Sequence, residues 1–112
     1  MKQINFKINN MTWKITYKDT KTLIAKLNSR CEEKVFYVFG LTLYDSHEIW
    51  INGDLCFEQQ IKTLKHELTH CYMWSMGMHN VIEYNEEFIC DLVSASNDFI
   101  NEVVEKYKIQ MS

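Results

Sequence analysis

The chain has 112 residues, enough for one domain with a single modest core. Its composition, 46% hydrophobic and 24% charged, excludes disordered, collagen-like and low-complexity chains. The net charge is -3, and of the 12 basic residues only Arg30 is arginine, so the basic stripe of a nucleic-acid module is missing and no nucleic-acid partner is expected.

In chain order, Ile4, Phe6 and Ile8 alternate with polar residues, Asn9-Asn10 follows, and Met11, Trp13, Ile15 and Tyr17 alternate again. Two period-two runs around an Asn-Asn pair predict a β-hairpin. Asp19 or Thr20 can cap the next element, an amphipathic helix over Thr20 to Glu33 with Leu23, Ile24, Leu27 and Cys31 on one side. Val35 to Tyr44 is rich in aromatic and β-branched residues and reads as a strand. After a turn at Asp45-Ser46, Glu48-Ile49-Trp50-Ile51-Asn52 reads as a second short strand, closed by Gly53-Asp54. Helical periodicity then runs from about Cys56 to Met76, where Gly77 suits the position after a helix end. A last helix is expected from Glu86 to about Lys108, with Phe88, Leu92, Ala95, Phe99 and Val103 as its apolar stripe. The expected class is therefore α+β: a small, mostly antiparallel or mixed sheet packed on three helices.

The second helix carries His66-Glu67-Leu68-Thr69-His70, an H-E-x-x-H motif. Histidines four apart share a helical face, so both imidazoles can reach one Zn²⁺. Glu67 is turned by about 100° and is placed to act on water as a general base rather than to bind the metal. With Ile61 at zero, the apolar residues fall between about 280° and 20°, and the motif between about 140° and 240°. The motif is thus expected to face away from the core stripe. A catalytic zinc takes a third protein ligand. The metzincin spacing fails, because Met73 and Met76 stand where Gly and His are needed, and His79 fits no known spacing.

On the last helix, Glu87 has Asp91 one turn along the same face. His66 to His70 followed by Tyr84-Asn85-Glu86-Glu87-Phe88-Ile89-Cys90-Asp91 resembles the gluzincin type of zinc metallopeptidase, closest to small phage and prophage members and the ImmA/IrrE-like group. The resemblance implies a minimal zincin-like domain over residues 1–112, with Glu87 as third ligand and Asp91 orienting one imidazole. Glu86 and Cys90 stay open as alternatives to Glu87. It also implies peptide hydrolysis, with Glu48, Ile49, Trp50, Ile51 and Asn52 as an edge strand that pairs with an extended peptide or protein substrate. Tyr44, His47, Tyr72, His79 and Tyr84 are the candidates for stabilising an oxyanion. Trp50 reads equally as a core residue or a cleft residue.

No apolar stretch approaches the 18 or so residues of a membrane span, so no membrane partner is expected. Met1 to Asn10 lacks the apolar region of a secretion signal. Cys31, Cys56, Cys71 and Cys90 form no C-x-x-C, and reduced thiols in the cytoplasm are the expectation. Two functions compete: a zinc metallopeptidase using Glu67, and a latent or non-enzymatic zinc-binding regulatory or partner-binding protein on the same fold. The second arises because only 42 residues follow His70, little room for a substrate-gripping subdomain.

Overall fold

The computed structural model describes residues 3–29, 38–78 and 86–111, apart from the side chains of Glu87, Cys90, Asp91 and Ser94. Strands β1 (Gln3–Ile8) and β2 (Met11–Lys18) form the expected hairpin, with Ile8 opposite Met11. Asn9 and Asn10 both hold positive φ, 51° and 65°, as a two-residue turn between twisted strands requires and as asparagine tolerates. Helix α1 runs Thr20–Asn28; Asp19 is its N-cap, its carboxylate accepting from the Thr22 N–H at 2.7 Å. Thr20, the other candidate cap, instead donates its N–H and hydroxyl to Asp54 at 3.0 and 2.8 Å. The part of the expected first helix beyond Ser29 lies outside the described residues.

Strand β3 (Gly40–Leu43) and strand β4 (Glu48–Asn52) follow, and the sheet order is β1-β2-β4-β3. Strand β4 runs parallel to β2 and antiparallel to β3, so the sheet is mixed. The strand expected over Val35 to Tyr44 is shorter. Its ladder ends where the Val38 carbonyl accepts from the Asn52 side chain at 2.9 Å, and residues 35–37 lie outside the described residues.

Helix α2 (Phe57–Ser75) and helix α3 (Glu86–Met111) pack over one face of the sheet. Ile4, Phe6, Ile8, Trp13, Ile15, Ile49 and Ile51 point from that face into a core shared with Leu64, Leu68, Cys71, Val103, Val104 and Tyr107. Helix α1 packs against β4, and its Leu23 is fully buried. The fold is thus α+β, and the described residues form four strands and three helices in the expected order. On α3 the stripe differs: Ser96 is buried and Ala95 exposed, and the tightest contact comes from Val103, Val104, Tyr107 and Met111 in the C-terminal half. Tyr107 Oη donates to Gln60 Oε1 at 2.8 Å, and Gln60 in turn donates to the Leu55 carbonyl at 2.8 Å, tying α3 to the start of α2. No described helix is long and apolar enough to cross a membrane.

Candidate metal centre

Leu64, Leu68 and Cys71 anchor α2 on the sheet, which turns His66 and His70 outward onto an exposed face. Their Nε2 atoms approach to 3.2 Å, with the rings nearly perpendicular at 77°. Two ligands at about 2.0–2.1 Å from a tetrahedral ion stand about 3.3 Å apart, so the pair has the spacing that zinc requires. Glu67 joins them: one ligand atom from each of His66, Glu67 and His70 lies within 4.8 Å of the others. Glu67 Oε2 stands 3.8 Å from His66 Nε2, too far for a hydrogen bond but near enough to reach a water beside the imidazoles. The chemistry of the donor set fits zinc: two imidazoles with a carboxylate beside them.

Glu67 departs from expectation in one respect. It is buried rather than turned away from the core. Gln60, Thr63 and Glu67 are all covered, so the buried arc of α2 is wider than its apolar stripe, because β3 lies along that flank. From β3, Thr42 Oγ1 lies 3.0 Å from Glu67 Oε1 and 3.3 Å from the Glu67 carbonyl oxygen. Gly40 makes the close approach possible: a Cβ there would stand 2.9 Å from Thr63 Cγ2, 3.0 Å from the Trp50 carbonyl oxygen and 3.3 Å from Glu67 Cγ. Neither residue figured among the sequence candidates. The available signal was the alternation Gly40, Thr42, Tyr44 on a strand just ahead of the motif helix.

The substrate-edge expectation is corrected. Strand β4 is paired on both sides, so Glu48, Ile49, Trp50, Ile51 and Asn52 cannot offer a free backbone edge to a peptide. Among the described residues the outer strands are β1 and β3, and β3 is the one that packs beside the motif helix. The reason is topological: β2 takes β4 as its parallel neighbour and leaves β3 outermost. Ile49 and Ile51 are core residues, whereas Trp50 points to the α1 face, where Lys18 and Lys26 lie over its ring at 4.9 and 5.8 Å. Asn52 is fully buried and bonds to Thr20, Val38 and Asp54 as a junction.

Of the oxyanion candidates, Tyr44 follows β3, and burial together with the nearby Glu67 charge raises its hydroxyl pKa, so it stays a donor. His47 stacks on Trp13 at 5.0 Å and packs on Trp74, and Tyr72 is buried against Phe99. His79 and Tyr84 lie outside the described residues. Cys56 and Cys71 are free thiols; burial pushes the Cys71 thiol up to about 12, which suits a core residue rather than a thiolate ligand. Cys31, and the side chain of Cys90, are outside the described residues. Glu87 falls in the first turn of α3 and Asp91 one turn on, but their side chains are likewise outside; Glu86 is exposed.

Beside the motif, Phe39 and Gly40 on one side and Gln59, Lys62 and Thr63 on the other line a cleft of about 450 Å³ that ends at His66 and Glu67. No protein-family model, curated protein or solved structure matches this chain.

Proposed function

We propose that this chain is a zinc-dependent metallopeptidase of gluzincin type, in which His66, His70 and Glu87 hold the ion and Glu67 is the general base. The observation that carries the reading is the convergence of the two Nε2 atoms at 3.2 Å with the Glu67 carboxylate beside them. When bound, zinc supplies a Lewis acid for the scissile carbonyl and brings the pKa of water near neutrality. Glu67 Oε2 takes the proton of the attacking water and returns it to the leaving amine, as the new C–O bond forms and the C–N bond breaks. The substrate lies extended along β3 with its backbone paired to that edge, and the cleft between β3 and α2 takes one of its side chains. Tyr44, still protonated and within the influence of the Glu67 charge, is the candidate donor to the developing oxyanion.

What favours an enzyme over a purely structural zinc site is Glu67 itself. A structural site needs four ligands and no poised carboxylate. The test is hydrolysis of a fluorogenic peptide library by zinc-loaded protein, with Glu67→Gln as the control. We expect chelator-sensitive hydrolysis by the parent, and a loss of about 10²–10⁴-fold in the variant at equal zinc content. Zinc uptake without hydrolysis by the parent would overturn the peptidase reading in favour of a regulatory zinc protein.

A further inference from the structure

Glu67 presents two carboxylate oxygens to two different partners. Oε1 meets the Thr42 hydroxyl at 3.0 Å, and Oε2 faces the imidazole pair, 3.8 Å from His66 Nε2. A free glutamate side chain has three rotatable bonds and a carboxylate that exchanges its oxygens. On an exposed helix face it would sample many orientations. Here the carboxylate is enclosed: Glu67 is 8% exposed, and β3 approaches so closely at Gly40 that even a methyl group there would collide. Thr42 is stiff at χ1, being β-branched, and its own backbone is held in the β3–β4 ladder opposite Ile49.

From this geometry we infer that Thr42 is a positioning residue, which ties one oxygen of Glu67 to the edge strand and so aims the other at the site between His66 and His70. The inference rests on the peptidase reading for its catalytic consequence, but the tie itself can be tested without it. It also joins two parts of the machinery. Among the described residues β3 is an outer strand, so the strand proposed to pair with a peptide is also the strand that orients the base, and substrate backbone and proton acceptor are registered by one element, Gly40–Leu43. Misplacement of a reacting group by about 1 Å costs up to about 10²-fold in rate, which sets the scale of the effect.

Two measurements test the inference, using Thr42→Val, which keeps the shape and removes the hydroxyl, and Thr42→Ser, which keeps the hydroxyl. The first is a double-mutant cycle of Thr42→Val with Glu67→Leu, which removes the acceptor oxygen that glutamine would keep, read by urea unfolding of the metal-free protein. A direct bond to a carboxylate predicts a coupling of about ten-fold in the unfolding equilibrium constant; additive effects would overturn the tie. The second is turnover by the zinc-loaded variants on the library peptide that the parent cleaves best. Thr42→Val should lower kcat about ten-fold or more with KM and zinc affinity unchanged, and Thr42→Ser should recover most of the loss. An equal kcat for Thr42→Val and parent, or no rescue by serine, would overturn the positioning role. A zinc-loaded parent that cleaves nothing overturns the peptidase reading, and with it the catalytic role of Thr42; the cycle then decides the tie alone.

Discussion

Gly40 and Glu67 depend on each other. The glycine lets the edge strand close onto α2, and the glutamate uses that closeness to hold its carboxylate. Gly40→Ala forces a shift against Thr63 Cγ2 and against the Trp50 carbonyl, which is backbone and cannot rotate away. The expected cost is about 1–3 kcal/mol, as for other overpacked sites, and urea unfolding measures it. Asp91→Ala tests the second carboxylate of α3. If Asp91 orients an imidazole, zinc affinity measured against a calibrated chelator should fall about 10–100-fold; an unchanged titration would remove Asp91 from the site. Asp19 supplies a pH signature. Its bonds to Thr22 at the start of α1 hold its carboxyl below the ordinary value of 3.8. A depressed folded value means that the cap stabilises above 3.8 and is lost as pH falls through the folded value. The stability difference between the parent and Asp19→Ala should therefore shrink in acid below 3.8, as followed by urea unfolding at stepped pH.

The motif helix has a defined stop. Gly77 takes φ +74°, its N–H bonds the Trp74 carbonyl at 3.2 Å, and the Met78 N–H bonds the Met73 carbonyl at 2.7 Å, closing the helix end as a Schellman motif. Among the described residues no atom lies within 4 Å of a Cβ at Gly77, so against them a substitution there meets only the conformational penalty. Gly77→Ala should cost about 1–2 kcal/mol in thermal unfolding, and Gly77→Asn less, since asparagine tolerates the left-handed region. The contrast with Gly40 separates two uses of one residue type: backbone freedom in one place, absent volume in the other. The hairpin turn adds a further tie to this end of the helix, because Asn9 Nδ2 donates to the Ser75 carbonyl at 3.2 Å.

Among the described residues, the main core lies between the sheet and the α2–α3 pair, and the candidate centre stands at its rim. Zinc bound by His66 and His70 would hold the folded state and not the unfolded chain. At a free zinc concentration 100 times the Kd, the stabilisation is about 2.7 kcal/mol. Calorimetry should therefore show Tm rising with zinc in the parent and in Glu67→Gln, and not in His66→Ala or His70→Ala. A Tm that zinc leaves unchanged in the parent would remove the metal from the fold.

Local periodicity made most of the elements legible. Alternation marked β1, β2 and β4, the 3.6-residue pattern marked α2 and α3, and the spacing of His66, Glu67 and His70 placed three groups on one turn of helix. Those features depend on neighbours within a few residues, so sequence alone carries them. The strand order did not follow in the same way. Strand β4 reads as a strand from its own residues, but nothing within it says whether one or both of its edges are paired; that follows from β2 taking it as a parallel neighbour across a long stretch of chain. The same holds for Glu67. Its position on the helical wheel marks it as flanking the apolar stripe, and only the arrival of Gly40 and Thr42 from the far side makes it a buried, hydrogen-bonded carboxylate. Residue spacing determined which groups could meet on one helix. Packing between elements distant in the chain decided which described strands lie outermost and how the Glu67 carboxylate is held, because burial and strand pairing are properties of partners that no single segment contains.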